Sequence, residues 1–230
     1  MQSVLVTGGS GGIGAAVCRR LRTAGYRPIV GYARNRESAE TVARQTDGIA
    51  LALDLSDAAG IDAALTQLTP EAAPLIGVVL AASPPPRLAP LAQIEPEELA
   101  EAWQVNVAGP QRLMAGLLRN VFRKSREGTV VGVLSRVTGD ADAKAMACVG
   151  AYTVAKYGLA GLLKALAADY PWLNVRSVSP GFVETEMLRA FDPRFLEMMR
   201  RRAPFQQPDD VAQEILCAFE RGPAAAKLSQ

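Results

Sequence analysis

"VTGGSGGIG", residues 6–14, decides how the rest of the chain is read. The apolar run "SVLVT" (3–7) leads into it, and Ile13, Ala16, Val17 and Leu21 follow at helical spacing. A glycine-rich turn between a strand and a helix lets the backbone approach a pyrophosphate, with the positive end of the helix dipole behind it. Glycine strings are common, and the place of this one after a strand and before a helix is what gives it weight. Gly8, Ser10, Gly11, Gly12 and Ile13 are the candidate phosphate contacts. Their spacing differs from the GxGxxG fingerprint, since Thr7-Gly8 is followed by three residues and then Gly12-Ile13-Gly14.

Outward from this turn, short apolar runs alternate with longer amphipathic stretches. Strands are expected at 28–32, 49–55, 75–82, 128–134 and 174–180, and helices at about 36–45, 57–67, 96–123, from 151, and 208–220. Gly109-Pro110 is expected to bend the long helix. Continuously apolar strands alternating with helices predict a doubly wound parallel α/β sheet of about six strands in one domain, 1–230. "SPPPRLAP" (83–90) and the segment 186–205 are the long irregular stretches. Both follow carboxyl ends of strands, where ligands sit in such sheets, and 186–205 is expected to form a lid over the substrate.

Composition narrows the function. The 230 residues carry a formal charge of +2, which leaves no electrostatic footprint for nucleic acid or a membrane surface. No apolar stretch is long enough to span a bilayer and the start reads as a strand, so a cytoplasmic protein is expected. Cys18, Cys148 and Cys217 lie far apart without metal-site spacing and are read as reduced thiols, with no metal. The chain has no histidine. That removes Ser-His-Asp and Cys-His chemistry and most zinc hydrolases.

The second strand bears on the choice of dinucleotide. A carboxylate at its end binds a ribose 2′-hydroxyl, whereas an arginine suits a 2′-phosphate. Here "GYARNRE" (31–37) offers Arg34 and Arg36 before any acid, so NADP(H) is favoured over NAD(H). Further along, "GAYTVAKYGL" (150–159) sets Tyr152 and Lys156 on one helical face. A phenol titrating near 10 works at neutral pH only if its anion is stabilised, and a nearby ammonium does that.

These segments together resemble the short-chain dehydrogenases/reductases, most closely the branch containing 3-oxoacyl-[acyl-carrier-protein] reductases. The likeness spans about residues 3–215. It rests on "TGGSGGIG" (7–14), "YAR" (32–34), "LDLSD" (53–57), "NVAG" (106–109), "GTVVGVLS" (128–135), "YTVAKYGLAGLLKALA" (152–167) and "VSPGFVETEM" (178–187), in that order. The resemblance implies that Asp54 binds the adenine, with Leu55 and Ala82 beside the cofactor. It implies that Asn106 helps hold a water linking Lys156 to solvent and that Ser135 binds the substrate oxygen. Tyr152 would be the acid in reduction and the base in reverse. Lys156 would lower the phenol's pKa and bind the ribose, and Pro180, Gly181, Val183 and Thr185 would contact the nicotinamide end.

The chain departs from this pattern in four places. Leu80-Ala81-Ala82-Ser83 stands where Asn-Asn-Ala-Gly is usual; Gly11 replaces a frequent basic residue; the interval from Ser135 to Tyr152 is longer; and the end, "CAFERGPAAAKLSQ", lacks the usual seventh-strand segment. A homodimer is then as much expected as a homotetramer, through the helices at 96–123 and 151–170. The leading function is NADPH-dependent reduction of a ketone, on a 3-oxoacyl thioester or polyketide-like substrate, small or carrier-bound. The alternatives are a dehydrogenase or epimerase acting on a sugar nucleotide or other secondary alcohol, and a non-catalytic dinucleotide-binding regulator. Apolar residues at 187–199 suit an apolar substrate or an ordinary helix contact, and Arg200, Arg201 and Arg202 suit an acidic carrier or a solvated face.

Overall fold

The computed structural model describes residues 1–68, 74–138 and 146–221. Elements run β1 (Ser3–Thr7), α1 (Gly12–Thr23), β2 (Arg27–Tyr32), α2 (Arg36–Gln45), β3 (Ile49–Ala52), α3 (Ala58–Gln67) and β4 (Leu75–Leu80). A long helical run follows as α4 (Pro96–Trp103), α5 (Gly109–Leu117) and α6 (Arg123–Ser125), joined by wide π turns at Gln104–Ala108 and Leu118–Phe122. Then come β5 (Thr129–Val133), α7 (Gly150–Asp169), β6 (Asn174–Val178), α8 (Pro193–Arg202) and α9 (Pro208–Glu220).

Six parallel strands lie in the order β3-β2-β1-β4-β5-β6 among the described residues. Crossing from β3 to β4 reverses the winding direction beside β1, so the carboxyl ends of β1 and β4 open a crevice. Alternate strand residues feed two cores. Leu5, Val78, Val130 and Leu134 pack with Leu113, Leu117, Leu159 and Leu163 on the face of α5 and α7. Val4, Val6, Val79, Val131 and Val133 pack with Val17, Leu21, Val211 and Ile215 on the face of α1 and α9. Both faces are covered, which is why the strands are apolar without alternation.

The strand and helix order matches the sequence reading, with three local differences. The bend expected at Gly109-Pro110 is a π turn just before it, at 104–108. Pro110 has no N–H and its ring would strike the carbonyl four residues back, so the helix widens there instead of breaking. β3 stops at Ala52; Leu53 still donates to the Tyr32 carbonyl (2.7 Å), and Asp54 then turns the chain by accepting from Ser56 N–H (2.9 Å). The segment 186–205 is mostly structured, with a 3₁₀ turn at Glu186–Ala190 and then α8. Residues 139–145 of the longer Ser135–Tyr152 interval, and the end of the chain from 222 on, lie outside the described residues. No helix among the described residues is long and apolar enough to cross a membrane.

Candidate active site

The phosphate turn is built by backbone packed on backbone. Gly8 sits at φ +66°, and a Cβ there would stand 2.9 Å from the Ala82 Cα. Gly9 N–H donates to the Gly31 carbonyl (2.8 Å) and Gly11 N–H to the Gly8 carbonyl (3.1 Å). A side chain at Gly14 would run into the Gly8 carbonyl. Gly11 is the N-cap of α1; no side chain caps the helix, and its first turn carries no acid. The first-turn amides therefore suit an anion, and a dinucleotide pyrophosphate fits the cradle. The Ser10 carbonyl accepts from Ser38 Oγ (3.0 Å), which ties the turn to α2, and Ile13 packs partly buried against the α1 core.

Sequence reasoning passed over Thr7. It is buried at the end of β1, where its Oγ1 accepts from the N–H groups of Ala81 (3.0 Å) and Ala82 (3.1 Å). This hydroxyl joins β1 to the chain leaving β4, across the segment where Leu80-Ala81-Ala82-Ser83 departs from the family pattern. A threonine ending an apolar strand just before two glycines was the available signal.

The ends of β2 and β3 place the adenosine candidates together. The Arg34 side chain is 89% exposed and lies 3.9 Å from Glu101 on α4. Arg36 is held by Glu40 of its own helix (2.6 Å). Asp54 turns one carboxylate oxygen to Ser56 N–H and Oγ–H (2.9 and 2.6 Å). Leu55 is buried, and Gly109 permits α5 to pass close to its carbonyl.

At the carboxyl end of β5, Ser135 and Tyr152 share a hydrogen bond, although 17 residues separate them (152 − 135). Lys156, one turn along α7, is 2% exposed; its Nζ donates to the Val133 carbonyl (3.0 Å) and lies 5.5 Å from the Tyr152 ring centroid. Burial pushes the Lys156 ammonium down to about 8. Burial also pushes the Tyr152 phenol up from its usual value, opposed by the Ser135 hydrogen bond. The net direction is upward because desolvation outweighs the Ser135 contact.

Asn106 occupies the first π turn and is buried. Its Nδ2 donates to the Ala102 carbonyl (2.9 Å), while its buried Oδ1 has no partner among the described residues. Pro110, four residues on, cannot donate to the Asn106 carbonyl. A side chain at Gly158 would meet Val107 (2.7 Å) and Trp103 (2.8 Å), so α7 lies directly against this turn.

The remaining candidates lie on the loop after β6. Arg136 N–H donates to the Pro180 carbonyl and Gly181 N–H to Gln206 Oε1, both at 3.0 Å. Val183 is buried and bridges Gln206, with Glu184 N–H on the Gln206 carbonyl (3.0 Å) and Gln206 N–H on the Phe182 carbonyl (2.9 Å). This clasp closes the segment 182–206 into a flap. Thr185 rests on the phosphate turn, 2.5 Å from where a Gly12 Cβ would stand. A cavity of about 780 Å³ opens between turn and flap, lined by Gly12, Thr185, Leu188, Phe191 and Leu196 among others. Inside the flap, Phe182 meets Phe191, Phe195 and Phe205 at 5.7, 6.2 and 4.9 Å between ring centroids. No group of three or more His, Cys, Asp or Glu among the described residues is placed to hold a metal.

Residues 2–194 match the model of the short chain dehydrogenase family. The chain belongs to that family. This short-chain dehydrogenase is 30% identical over 218 residues to acetoacetyl-CoA reductase of Paracoccus denitrificans, covering 92% of this chain and 88% of that one. It is also 30% identical over 236 residues to D-threitol dehydrogenase of Mycolicibacterium smegmatis, covering 98% and 87%. The solved 3-ketoacyl-(acyl-carrier-protein) reductase from Brucella melitensis, complexed with NADH, superposes with a TM-score of 0.85 at 23% identity, over 96% of this chain and 94% of that one. The protein is an oxidoreductase of the NAD(P)-binding kind, with reductases among its relatives.

Proposed function

We propose that this short-chain dehydrogenase reduces a ketone to a secondary alcohol with NADPH, on a 3-oxoacyl thioester or a polyketide-like relative of one. The observation that carries this reading is the hydrogen bond between Ser135 and Tyr152 with a buried Lys156 one turn away. The cofactor, when bound, supplies the hydride. Ser135 and Tyr152 direct donors at the carbonyl oxygen, where negative charge develops. A phenol raised by burial keeps its proton at neutral pH, as an acid must. Lys156, pushed down to about 8 by burial, exchanges protons readily near neutrality, and the open Oδ1 of Asn106 supports a water-held proton path from it. The uncapped first turn of α1 supports pyrophosphate binding, and the exposed Arg34 past the end of β2 supports recognition of the 2′-phosphate that distinguishes NADPH.

The likeness to an acetoacetyl-CoA reductase supports the thioester substrate. The likeness to D-threitol dehydrogenase supports a second reading, oxidation of a polyol, in which the same residues act in reverse and Tyr152 is the base. Leu99, Trp103, Val154 and Tyr157 expose apolar surface along α4 and α7, which supports a homo-oligomer joined through these helices.

Tyr152→Phe tests the reading. NADPH-dependent turnover of acetoacetyl-CoA should fall by about 10³-fold, within the range a general acid contributes. NADPH binding, followed by fluorescence, should stay close to that of the wild type. Retained turnover would remove Tyr152 from the chemistry, and lost binding would make it structural.

A further inference from the structure

The charged side chains of the flap are mostly paired. Glu184 meets Arg200 (2.9 and 3.0 Å), Glu186 meets Arg189 (3.2 Å) and Glu197 meets Arg201 (2.5 Å). Arg136, the residue after Ser135, is exposed and has no carboxylate partner among the described residues. Its Nε, Cζ and Cδ lie 3.2, 3.3 and 3.4 Å from where a Gly181 Cβ would stand, so the guanidinium end lies against the backbone of that glycine. A side chain at Gly181 would crowd it, and the Arg136 amide is anchored on the Pro180 carbonyl next to it.

Leu134 N–H bonds the Val178 carbonyl (2.8 Å) and Arg136 N–H the Pro180 carbonyl (3.0 Å), so the parallel pairing of β5 and β6 continues past both strands. Arg136 then opens a 3₁₀ turn, Arg136–Thr138, and its guanidinium lies over Gly181 on the loop that follows β6. Its Cα is about 3.8 Å from that of Ser135. The flap's aromatic rings are packed on one another, and Leu188 and Leu196 are buried. Among the described residues, Arg136 is the exposed cation that follows Ser135 directly and lies against the loop after β6.

We infer that Arg136 binds an oxyanion of the substrate, a carboxylate or phosphate group a few bonds from the reacting carbonyl. This rests on the ketone-reductase reading and refines its substrate: the acyl chain or keto compound carries a negative group near the ketone. A planar guanidinium offers two parallel N–H donors that match such a group.

The test compares ketones that differ only in charge. Acetoacetate is set against ethyl acetoacetate, and hydroxyacetone phosphate against hydroxyacetone, each with NADPH. Wild type should favour one anionic member through a lower KM, and which pair shows the preference separates carboxylate from phosphate. Arg136→Gln should reduce that preference in kcat/KM about tenfold to a hundredfold, as loss of a charged hydrogen bond does. Arg136→Lys should keep part of it. No anion preference in wild type, or an unchanged preference in Arg136→Gln, overturns the inference. Malonate, which no reductase can reduce, keeps the two readings apart in calorimetry on the NADP⁺-loaded proteins. Tighter binding by wild type than by Arg136→Gln supports the inference even if no ketone turns over, a result that would remove the reductase reading alone; equal binding by the two proteins overturns it.

Discussion

The phosphate turn at 7–14 and the flap at 182–206 meet face to face, yet they are built on opposite principles. In the turn, backbone packs on backbone: Gly8 against Ala82, Gly9 against Gly31 and Gly14 against the Gly8 carbonyl. In the flap, side chain packs on side chain, with four phenylalanine rings in mutual contact and an arginine, Arg200, lying 4.7 Å over the Phe205 ring. Backbone contacts tolerate no added atom, whereas a cluster of rings adjusts by rotating its members. The turn, proposed to hold the cofactor, is thus stiff in composition, and the flap, proposed to cover the substrate, has latitude. A family that keeps one cofactor and changes substrates would need that division of labour.

The sharpest way to break the comparison is Gly14→Ala. A methyl group there meets the Gly8 carbonyl oxygen, with Gly8 C and Gly9 Cα behind it at 2.8 and 2.9 Å. None of these atoms can rotate away. Overpacking of this kind costs about 3 kcal/mol, so the melting temperature should fall by roughly 10 °C and dinucleotide binding should be lost. Calorimetry and a NADPH titration read both; a variant melting with wild type would show the turn to be as pliable as the flap. Phe182→Ala is the matching cut on the other side, since it removes the ring that touches the other three. Phe182 is only half-buried. The cost should be smaller, about 2 kcal/mol, and hydrogen exchange should rise across 182–206 while the turn keeps its protection.

The same contrast explains what the sequence disclosed. The turn was legible because each glycine answers a local demand of the backbone, and local demands leave a spacing behind. The six strands were legible because both sheet faces are covered, so each strand is a plain apolar run. The flap was read as an irregular stretch with an apolar stripe. Its helix did carry a start signal, Asp192-Pro193, where the Asp192 carboxylate accepts from Arg194 N–H (2.8 Å) and Phe195 N–H (3.1 Å). The stripe was ambiguous because periodicity says which residues share a face and not what covers that face. Ser135 and Tyr152 come together only through the β5–α7 packing, so family likeness and not spacing pointed to the pair. Arg136 gave no sign at all, since the backbone its guanidinium lies against is that of Gly181, 45 residues on (181 − 136).

Gly12→Ala probes the seam between the two regions and should have the smallest effect. Its methyl group would meet Thr185, at 2.5 Å from Cγ2 and 2.8 Å from Cβ, and would touch no backbone closer than the Thr185 Cα at 3.7 Å. The turn cannot move, so the flap must. If the flap adjusts as its packing suggests, the stability cost stays near 1 kcal/mol, well below that of Gly14→Ala two residues away on the same helix. Thr185→Gly removes both crowded atoms. In a double-mutant cycle the second substitution should therefore cancel most of the cost of the first, leaving a coupling of about 1 kcal/mol. Additive behaviour would mean that turn and flap do not touch in solution, and the seam between cofactor grip and substrate cover would have to be redrawn elsewhere.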